Sequence, residues 1–446
     1  MNPTKEQIIE LIKNSPNPKV KVAITDIDGI LRGKYLHKDK FLSSLESGFG
    51  FCNVVFGWDS ADLAYEGMNF TGWHTGYPDA IANLDLGTFR NVPWDNEVPF
   101  LLGDFNIDIC PRNLLKKTKA DAEKAGFKAF FGQEFEWFNF RENTEDLNAR
   151  NFHEPTPLTP GMFGYSLLRM ARNSEFLNEL YDFMLEFNVP LEGLHTETGP
   201  GVLEAAILYG DVLESADRAV LFKAGVKEIG LRHGIMPTFM AKISEKLPGC
   251  SGHLHQSLWD DKNNLFFNDK GNHKMSSLME SYIAGLLHCM PHVLPMYAPT
   301  INSFKRLVEG AWAPTTVTWA IDNRTTSIRA LPGGSKSTRI ELRVVGSDAN
   351  PYLAHAASLA SGLYGIKKGL KLDVKATEGN GYRDVSNGIL PGNLWNATQA
   401  FKNSDVAKEL FGETFVNHFA GTREWEWKQH AKAVTDWEYK RYFEII

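Results

Sequence analysis

A chain of 446 residues, 43% hydrophobic and 23% charged, has the composition of a soluble globular protein with room for two or three domains and a large core. A formal net charge of −7 argues against a nucleic-acid binder, which would carry a basic patch or stripe. Cys52, Cys110, Cys250 and Cys289 stand far apart with no CxxC spacing, no run approaches a membrane span, and the charged amphipathic N-terminus is unlike a signal peptide, so the expectation is a cytoplasmic protein with reduced, mostly buried thiols.

Residues 5–13 carry Ile8, Ile9, Leu11 and Ile12 at helical spacing, and Pro16 and Pro18 stop that helix. Residues 20–24 read as a strand, and Asp26-Ile27-Asp28-Gly29 as the hairpin turn into a second strand over 31–36. The pattern stays short-stranded and loop-rich to about Asp104. Pro111-Arg112-Asn113 then opens a helix through Ala125, closed by Gly126, which places a domain boundary near residue 110: 1–110 and 111–446. Beyond it strands and helices alternate, with helical periodicity over 174–187, 212–231, 353–368 and 404–410.

Three strands in the second part have polar faces. Over 127–138, FKAFFGQEFEWF, alternation puts Glu134 and Glu136 on one face and Phe131, Phe135 and Trp137 on the other. Over 251–258, SGHLHQSL, it aligns His253, His255 and Ser257. Over 339–344, RIELRV, it aligns Arg339, Glu341 and Arg343. Each alone is compatible with a half-buried strand whose polar face is solvated. The residue types argue otherwise: two carboxylates at i, i+2 in an aromatic strand repel unless a cation lies between them, and an Arg-Glu-Arg row beside a hydrophobic row suggests a buried ionic site. A fourth segment, His195-Thr-Glu197-Thr-Gly-Pro-Gly-Val-Leu-Glu204, sets two glutamates around a GPG turn. Lys305, Arg306, Asn323, Arg324, Arg329 and the loop Pro332 to Ser337 add a basic element suited to phosphate and carboxylate, with no Walker-type GxxxxGK[ST].

Together, and in this order, the segments resemble glutamine synthetase. Gly132-Gln133-Glu134-Phe135-Glu136 is similar to the family's G-x-E-x-E, His195 to Glu204 to its H-x-E…G-P-G-Q-x-E, and Gly249 to Leu258 to its G-S-G-x-H-x-H-x-S-L. Asn302 to Pro314 resembles N-S-Y-K-R-L-V-x-G…A-P, Asn323 to Arg329 resembles N-R-S-A-S-I-R, and Lys336 to Arg343 with Ala349 to Leu353 resembles K-x-x-R-I-E-x-R…A-N-P-Y-L. The likeness is strong after residue 110 and weak before it. It implies an α+β protein: an N-terminal β-grasp-like domain and a larger catalytic α/β domain whose antiparallel strands form a funnel. It also implies two or more Mg²⁺ or Mn²⁺ ions, Glu136, Glu197 and Glu204 holding the one nearer glutamate and Glu134, His253 and Glu341 the one bridging the ATP phosphates. Oxygen-rich ligands suit such ions. By the same likeness Arg306, Arg343 and Gly249 bind glutamate, Arg324 faces the transferring phosphate, and His255, Ser257, Arg329, Lys336 and Arg339 line the nucleotide site. The family's site lies between subunits of stacked rings, so a homo-oligomer is implied.

The sequence departs from the ammonia-using members at one telling place. Their G-Y-E-A-P supplies a glutamate that binds ammonium, and here that position is Trp312. Indole N–H is a donor only and takes no proton. Their second ammonium-site acid has two candidates, Asp59 and Asp62, in Phe56 to Asp62. The Gln of GPGQ is Val202, and Pro248 precedes Gly249. The A-W-A-P and D-N-R-T spellings resemble the γ-glutamylpolyamine and γ-glutamylamine synthetases. The expected activity is ATP-dependent joining of glutamate's γ-carboxylate to an amine. An ammonia-using enzyme and a non-catalytic structural relative are the alternatives, and the second would have eroded the six metal ligands that are present.

Overall fold

Thr4 opens the first helix, Lys5–Asn14, through a reciprocal capping box with Gln7, and the helix buries Ile8 and Ile12 before Pro16. A computed structural model describes residues 4–446. Strands β1 (Lys19–Thr25) and β2 (Leu31–His37) form the expected hairpin. Its turn is held by Asp26 Oδ1, which accepts the N–H groups of Asp28 and Ile30, and by Gly29 at φ +84°. With β3 (Phe49–Cys52), β4 (Asp79–Leu84), β5 (Arg90–Val92) and β6 (Val98–Phe105) they make a six-stranded sheet ordered β2-β1-β6-β4-β3, with β5 on β6. This is the small N-terminal sheet domain.

The larger sheet is built around the 13-residue β7 (Lys128–Phe140). Strands β8 (Leu191–Thr196), β9 (Val202–Ile207), β10 (Gly210–Asp211), β11 (Met236–Thr238), β12 (Leu254–Trp259), β13 (Trp319–Ile321), β14 (Ile328–Leu331) and β15 (Arg339–Leu342) complete it. The main path runs β13-β14-β15-β12-β7-β9-β8, antiparallel except for the β13–β14 pair. Alternation on β7 is as expected: Phe131, Phe135 and Trp137 are fully buried, while Glu134 and Glu136 face the other way. The buried face packs on the Val212–Arg232 helix, with Phe135 stacked on Phe222 at 6.0 Å. Burying each such ring contributes roughly 1.5–3 kcal/mol.

Arg112, at the start of the Pro111–Lys124 helix, ties the small sheet to the Val212–Arg232 helix that packs on the larger one. Its buried guanidinium meets Asp217 at 2.8 Å, Asp104 at 2.6 Å and Asp85 at 2.9 Å. Four further bonds tie the hairpin region to distant segments: Asn350 Nδ2 to the carbonyls of Asp26 and Ile27, Arg423 to Asp28 at 2.5 Å, and Trp425 Nε1 to Asp59 at 2.9 Å. All four cysteines are free and three are buried, Cys52 being half-buried. Among the described residues, no helix is long and apolar enough to cross a membrane.

Candidate functional site

Cross-strand register assembles the polar face. Glu136 stands opposite Glu204 on β9, and Glu204 opposite His195 on β8, so three strands line up a His-Glu-Glu row. On the other side His255 stands opposite Glu341 on β15, and Glu341 opposite Arg329 on β14. Glu134, on β7, closes the gap: its oxygens lie 3.1 Å from His255 Nε2 and 3.4 Å from His253 Nδ1. The GPG turn between β8 and β9 carries Glu197. Gly201 there sits at φ +73°, where a Cβ would come 2.4 Å from the Asn139 carbonyl oxygen, so only glycine fits.

The carboxylates fall into two groups. Burial would raise Glu134, but the charges and hydrogen bonds of His255 and His253 outweigh it and hold the carboxyl well below its ordinary range. Glu341 is buried too, yet His253, Arg343 and His255 bring it to about 2. Glu136 goes the other way, pushed up by burial and by Glu204 against the pull of His253 and the Ser251 N–H. His195, although burial lowers it, is raised by Glu204 at 3.5 Å.

Glu134, His255 and Glu341 offer ligand atoms all within 4.8 Å of one another, and His253 Nδ1 lies 3.3 Å from Glu341. The sequence expectation put His253 with the two glutamates; the fold brings both histidines to them. His253 Nε2 is buried without a hydrogen-bond partner. The nitrogens that face the converging carboxylates are His253 Nδ1 and His255 Nε2, and this mixed oxygen and imidazole donor set fits a divalent cation.

The arginines divide by exposure. Arg306 is buried and donates to the carbonyls of Val344 and Arg343 and to Ser251 Oγ. Gly249 packs on it, a Cβ there meeting Arg306 Cγ at 2.7 Å. Arg343 pairs with Glu341 and donates to the Arg324 carbonyl at 3.0 Å. Arg324 itself is exposed. Arg329 bridges Asp322 and Glu341. Arg339 donates to His255 Nδ1 at 3.1 Å. His255, Ser257, Lys336 and Arg339 share a cavity of about 300 Å³ with Phe130, Tyr209 and Trp259. Trp259 Nε1 donates to Ser257 Oγ at 2.9 Å, and Phe130 meets both other rings edge-on.

Trp312 has its ring 59% exposed and its backbone at φ +57°. The Tyr382 hydroxyl, buried without a hydrogen-bond partner, is raised by burial and feels the charges of Arg343, Arg306 and Glu309. Asp59 and Asp62 lie elsewhere on the chain. Asp59 Oδ1 accepts from the N–H groups of Ala61 and Leu63 and Oδ2 from Trp425; Asp62, at φ +61°, pairs with Arg32 at 2.7 Å. None of these partners belongs to the glutamate cluster.

Four site residues escaped the sequence reading. Phe130, Tyr209 and Trp259 are scattered aromatics with no motif. Tyr165 lies 4.5 Å, ring to ring, from His195 and senses Glu197, Glu204 and Arg324. It sits in a loop carrying exposed Met162 and Phe163, just before a short helix, Leu167–Ala171, that exposes Leu167 and Leu168. A run of apolar residues outside any periodic element was its only signal.

Comparison with known proteins gives this geometry its family. The chain is 52% identical to type-1 glutamine synthetase 2 of Dictyostelium discoideum, over 98% of this chain and 86% of that one. It is 36% identical to the glutamate–isopropylamine ligase of a Pseudomonas species, over 99% of each. It is 34% identical to the γ-glutamylethanolamide synthetase of Streptomyces coelicolor, over 98% and 95%. A solved GmaS/ADP complex superposes with a TM-score of 0.85 at 27% identity, covering 99% of this chain and 100% of that one. Residues 108–442 match the glutamine synthetase catalytic domain, and the chain belongs to the glutamine synthetase family of ligases, whose members use ATP and divalent metals.

Proposed function

We propose that this protein is a glutamate–amine ligase, joining glutamate's γ-carboxylate to a primary amine through a γ-glutamyl phosphate. One observation carries it: a donor-only indole, Trp312, stands in the Asn302 to Pro314 segment at the position where the ammonia-using members have the glutamate that binds ammonium. A tryptophan held at φ +57° is conformationally costly, by roughly 1–3 kcal/mol, and such strain clusters at ligand-binding positions. Relatives named for isopropylamine and ethanolamine acceptors support the reading. They also favour a small monoamine over a polyamine.

In this reading Glu136, Glu197 and Glu204 form one divalent-cation site, and Glu134, Glu341 and the two histidines of the β12 segment, His253 and His255, the other. Ions bound there would neutralise charge on the phosphates during transfer. The nucleotide lies in the cavity lined by Phe130, Tyr209, Trp259, Ser257, Lys336 and Arg339. Arg324, exposed, reaches the transferring phosphoryl oxygens, while Arg343 presents glutamate. Arg306 chiefly holds the backbone that carries Arg343 and Ser251. Asp62 accepts the amine's proton at a neighbouring subunit's site; Asp59, with both oxygens committed, shapes its turn.

A second reading, glutamine synthesis from ammonium, is favoured by the 52% identity to a glutamine synthetase. Phosphate release from ATP with glutamate, measured against ammonium, methylamine, ethylamine, isopropylamine, ethanolamine and putrescine, separates them. The ligase reading requires an alkylamine to exceed ammonium in kcat/KM. Ammonium ahead of every amine would establish the second.

A further inference from the structure

Lys223 is a cation in apolar company. It stands on the Val212–Arg232 helix, which packs on the buried face of β7, and its ammonium lies 5.6 Å from the Phe135 ring centre and 5.4 Å from that of Phe239. Burial and the charge of Lys227 depress it to about 7, against a smaller pull from Asp348. A methionine would fill the same space without that cost. What methionine lacks is donors, and the ammonium uses them: it donates to the Ser347 carbonyl at 2.8 Å and to the Ala349 carbonyl at 3.4 Å.

Ser347 is fully buried and bonded in three directions. Its carbonyl takes Lys223, its N–H donates to the Cys250 carbonyl at 3.1 Å, and its Oγ donates to the Glu136 carbonyl at 2.7 Å. The residue after Cys250 closes the circuit. Ser251 N–H donates to Glu136 Oε2 at 2.6 Å, and Glu136 N–H donates back to the Ser251 carbonyl at 3.0 Å. Ser347 therefore pins both the strand that carries Glu136 and the segment that grips its carboxylate. Lys223 holds the same strand from behind, through Phe135, the residue before Glu136.

We propose that Lys223 is a positioning residue for the cation site of Glu136, Glu197 and Glu204, fixing through Ser347 the direction in which the Glu136 carboxylate points. The inference rests on the cation site proposed above and not on which acceptor the ligase uses. Groups that orient a metal ligand from outside its coordination sphere set affinity as well as geometry.

Calorimetric titration of Mn²⁺ into the full-length protein tests it, with Glu136→Gln marking which binding step belongs to this site. Lys223→Met should weaken that step about tenfold and leave the other steps, and KM for ATP, little changed. Lys223→Arg keeps donors for both carbonyls, has the neighbouring cavity of about 740 Å³ to expand into, and should retain the affinity. Ser347→Ala should reproduce the loss, and the double variant should lose no more than either single one, because both act along one route. Circular dichroism confirms that each variant is folded. A Glu136-dependent step that survives in Lys223→Met, equal weakening of every step, or fully additive losses in the double variant would overturn the proposal while leaving the cation site in place. A wild-type protein with no Glu136-dependent step would remove the cation site itself, and the proposal with it.

Discussion

In the proposed ligase, Trp312 and Asp62 are the residues on which acceptor chemistry turns. An exposed indole gains by covering alkyl groups, about 0.8 kcal/mol per methylene. In the proposed ligase, kcat/KM should therefore climb several-fold from methylamine to isopropylamine, and Trp312→Ala should flatten that climb while changing KM for glutamate little. A steep climb surviving in Trp312→Ala would move the acceptor wall elsewhere, Tyr165 being the next aromatic candidate. The two acids separate by their hydrogen bonds. Asp62→Asn removes the proton acceptor and should lower kcat about 10²-fold or more with little change in melting. Asp59→Asn keeps the Oδ1 acceptor for the turn but sets an amide NH₂ against Trp425 Nε1–H, so it should cost melting temperature more than Asp62→Asn does and kcat less. Equal kinetic loss in the two variants would contradict the assignment. Sequence alone left these acids equivalent, because what distinguishes them is a bond from Trp425, 366 residues away.

At the level of elements, β7 is the strand most plainly written in the sequence, since aromatic and acidic residues alternate along its length. Strand β12 was less so. The expected strand began at Ser251, but regular pairing starts at Leu254, because residues 251–253 bond irregularly on both sides, Ser251 O to Glu136 N–H and Gly252 N–H to Val345 O. The Ser277–Val293 helix was invisible to periodicity: buried almost all round, it has no polar face to set a phase. The Glu413–Lys432 helix hides for another reason, burying His418, Thr422 and Arg423 among its apolar residues. The carboxylate row has a consequence for stability. Glu136 is disfavoured as a buried anion beside Glu204, so Mg²⁺ or Mn²⁺ should stabilise the fold, by about 2.7 kcal/mol at a hundredfold excess over Kd. Glu136→Gln should melt no lower than wild type without metal and should respond less to it in a thermal scan. The helices carry a pH dependence as well. His355, between Ser215 Oγ and the Pro351 carbonyl, and His418 are both lowered by burial to about 4. The unfolded chain binds protons at these residues from about pH 6.5, so their stabilisation is complete above that pH and drains away as pH falls towards 4. Asp26, raised by burial to about 6, acts oppositely, its folded form gaining relative stability as pH falls from 6 towards 4. Two groups against one leave a net acid loss. His418→Met should reduce the slope of melting temperature against pH between 6.5 and 4.5; an unchanged slope would show that His418 does not titrate in this way.

The whole molecule reads as incomplete chemistry in a complete fold. The glutamate cluster and the candidate proton acceptor sit on separate parts of one chain, and exposed Leu167, Leu168 and Tyr165 flank the cluster. We propose that a second copy supplies the acid in a ring. Co-expressed Asp62→Asn and Glu136→Ala subunits, each inactive alone, should then recover roughly a quarter of wild-type activity through mixed interfaces. No recovery in a mixed assembly of confirmed composition would place the acid and the cluster in the same subunit.

The bonds from Asn350, Arg423 and Trp425 back to Asp26, Ile27, Asp28 and Asp59 also set an order of events during synthesis. The ribosome has released the hairpin and the acid turn more than 300 residues before their partners exist. A chain growing at about 5–20 residues per second therefore carries that turn without its tether for a quarter of a minute or more. The turn that carries Asp59 and Asp62 is thus among the earliest parts of the protein to be made and the last to be fully fixed, and a ribosome stalled before Trp425 would yield both sheets and a turn held to the hairpin by the Asp62–Arg32 pair but without its Trp425 tether.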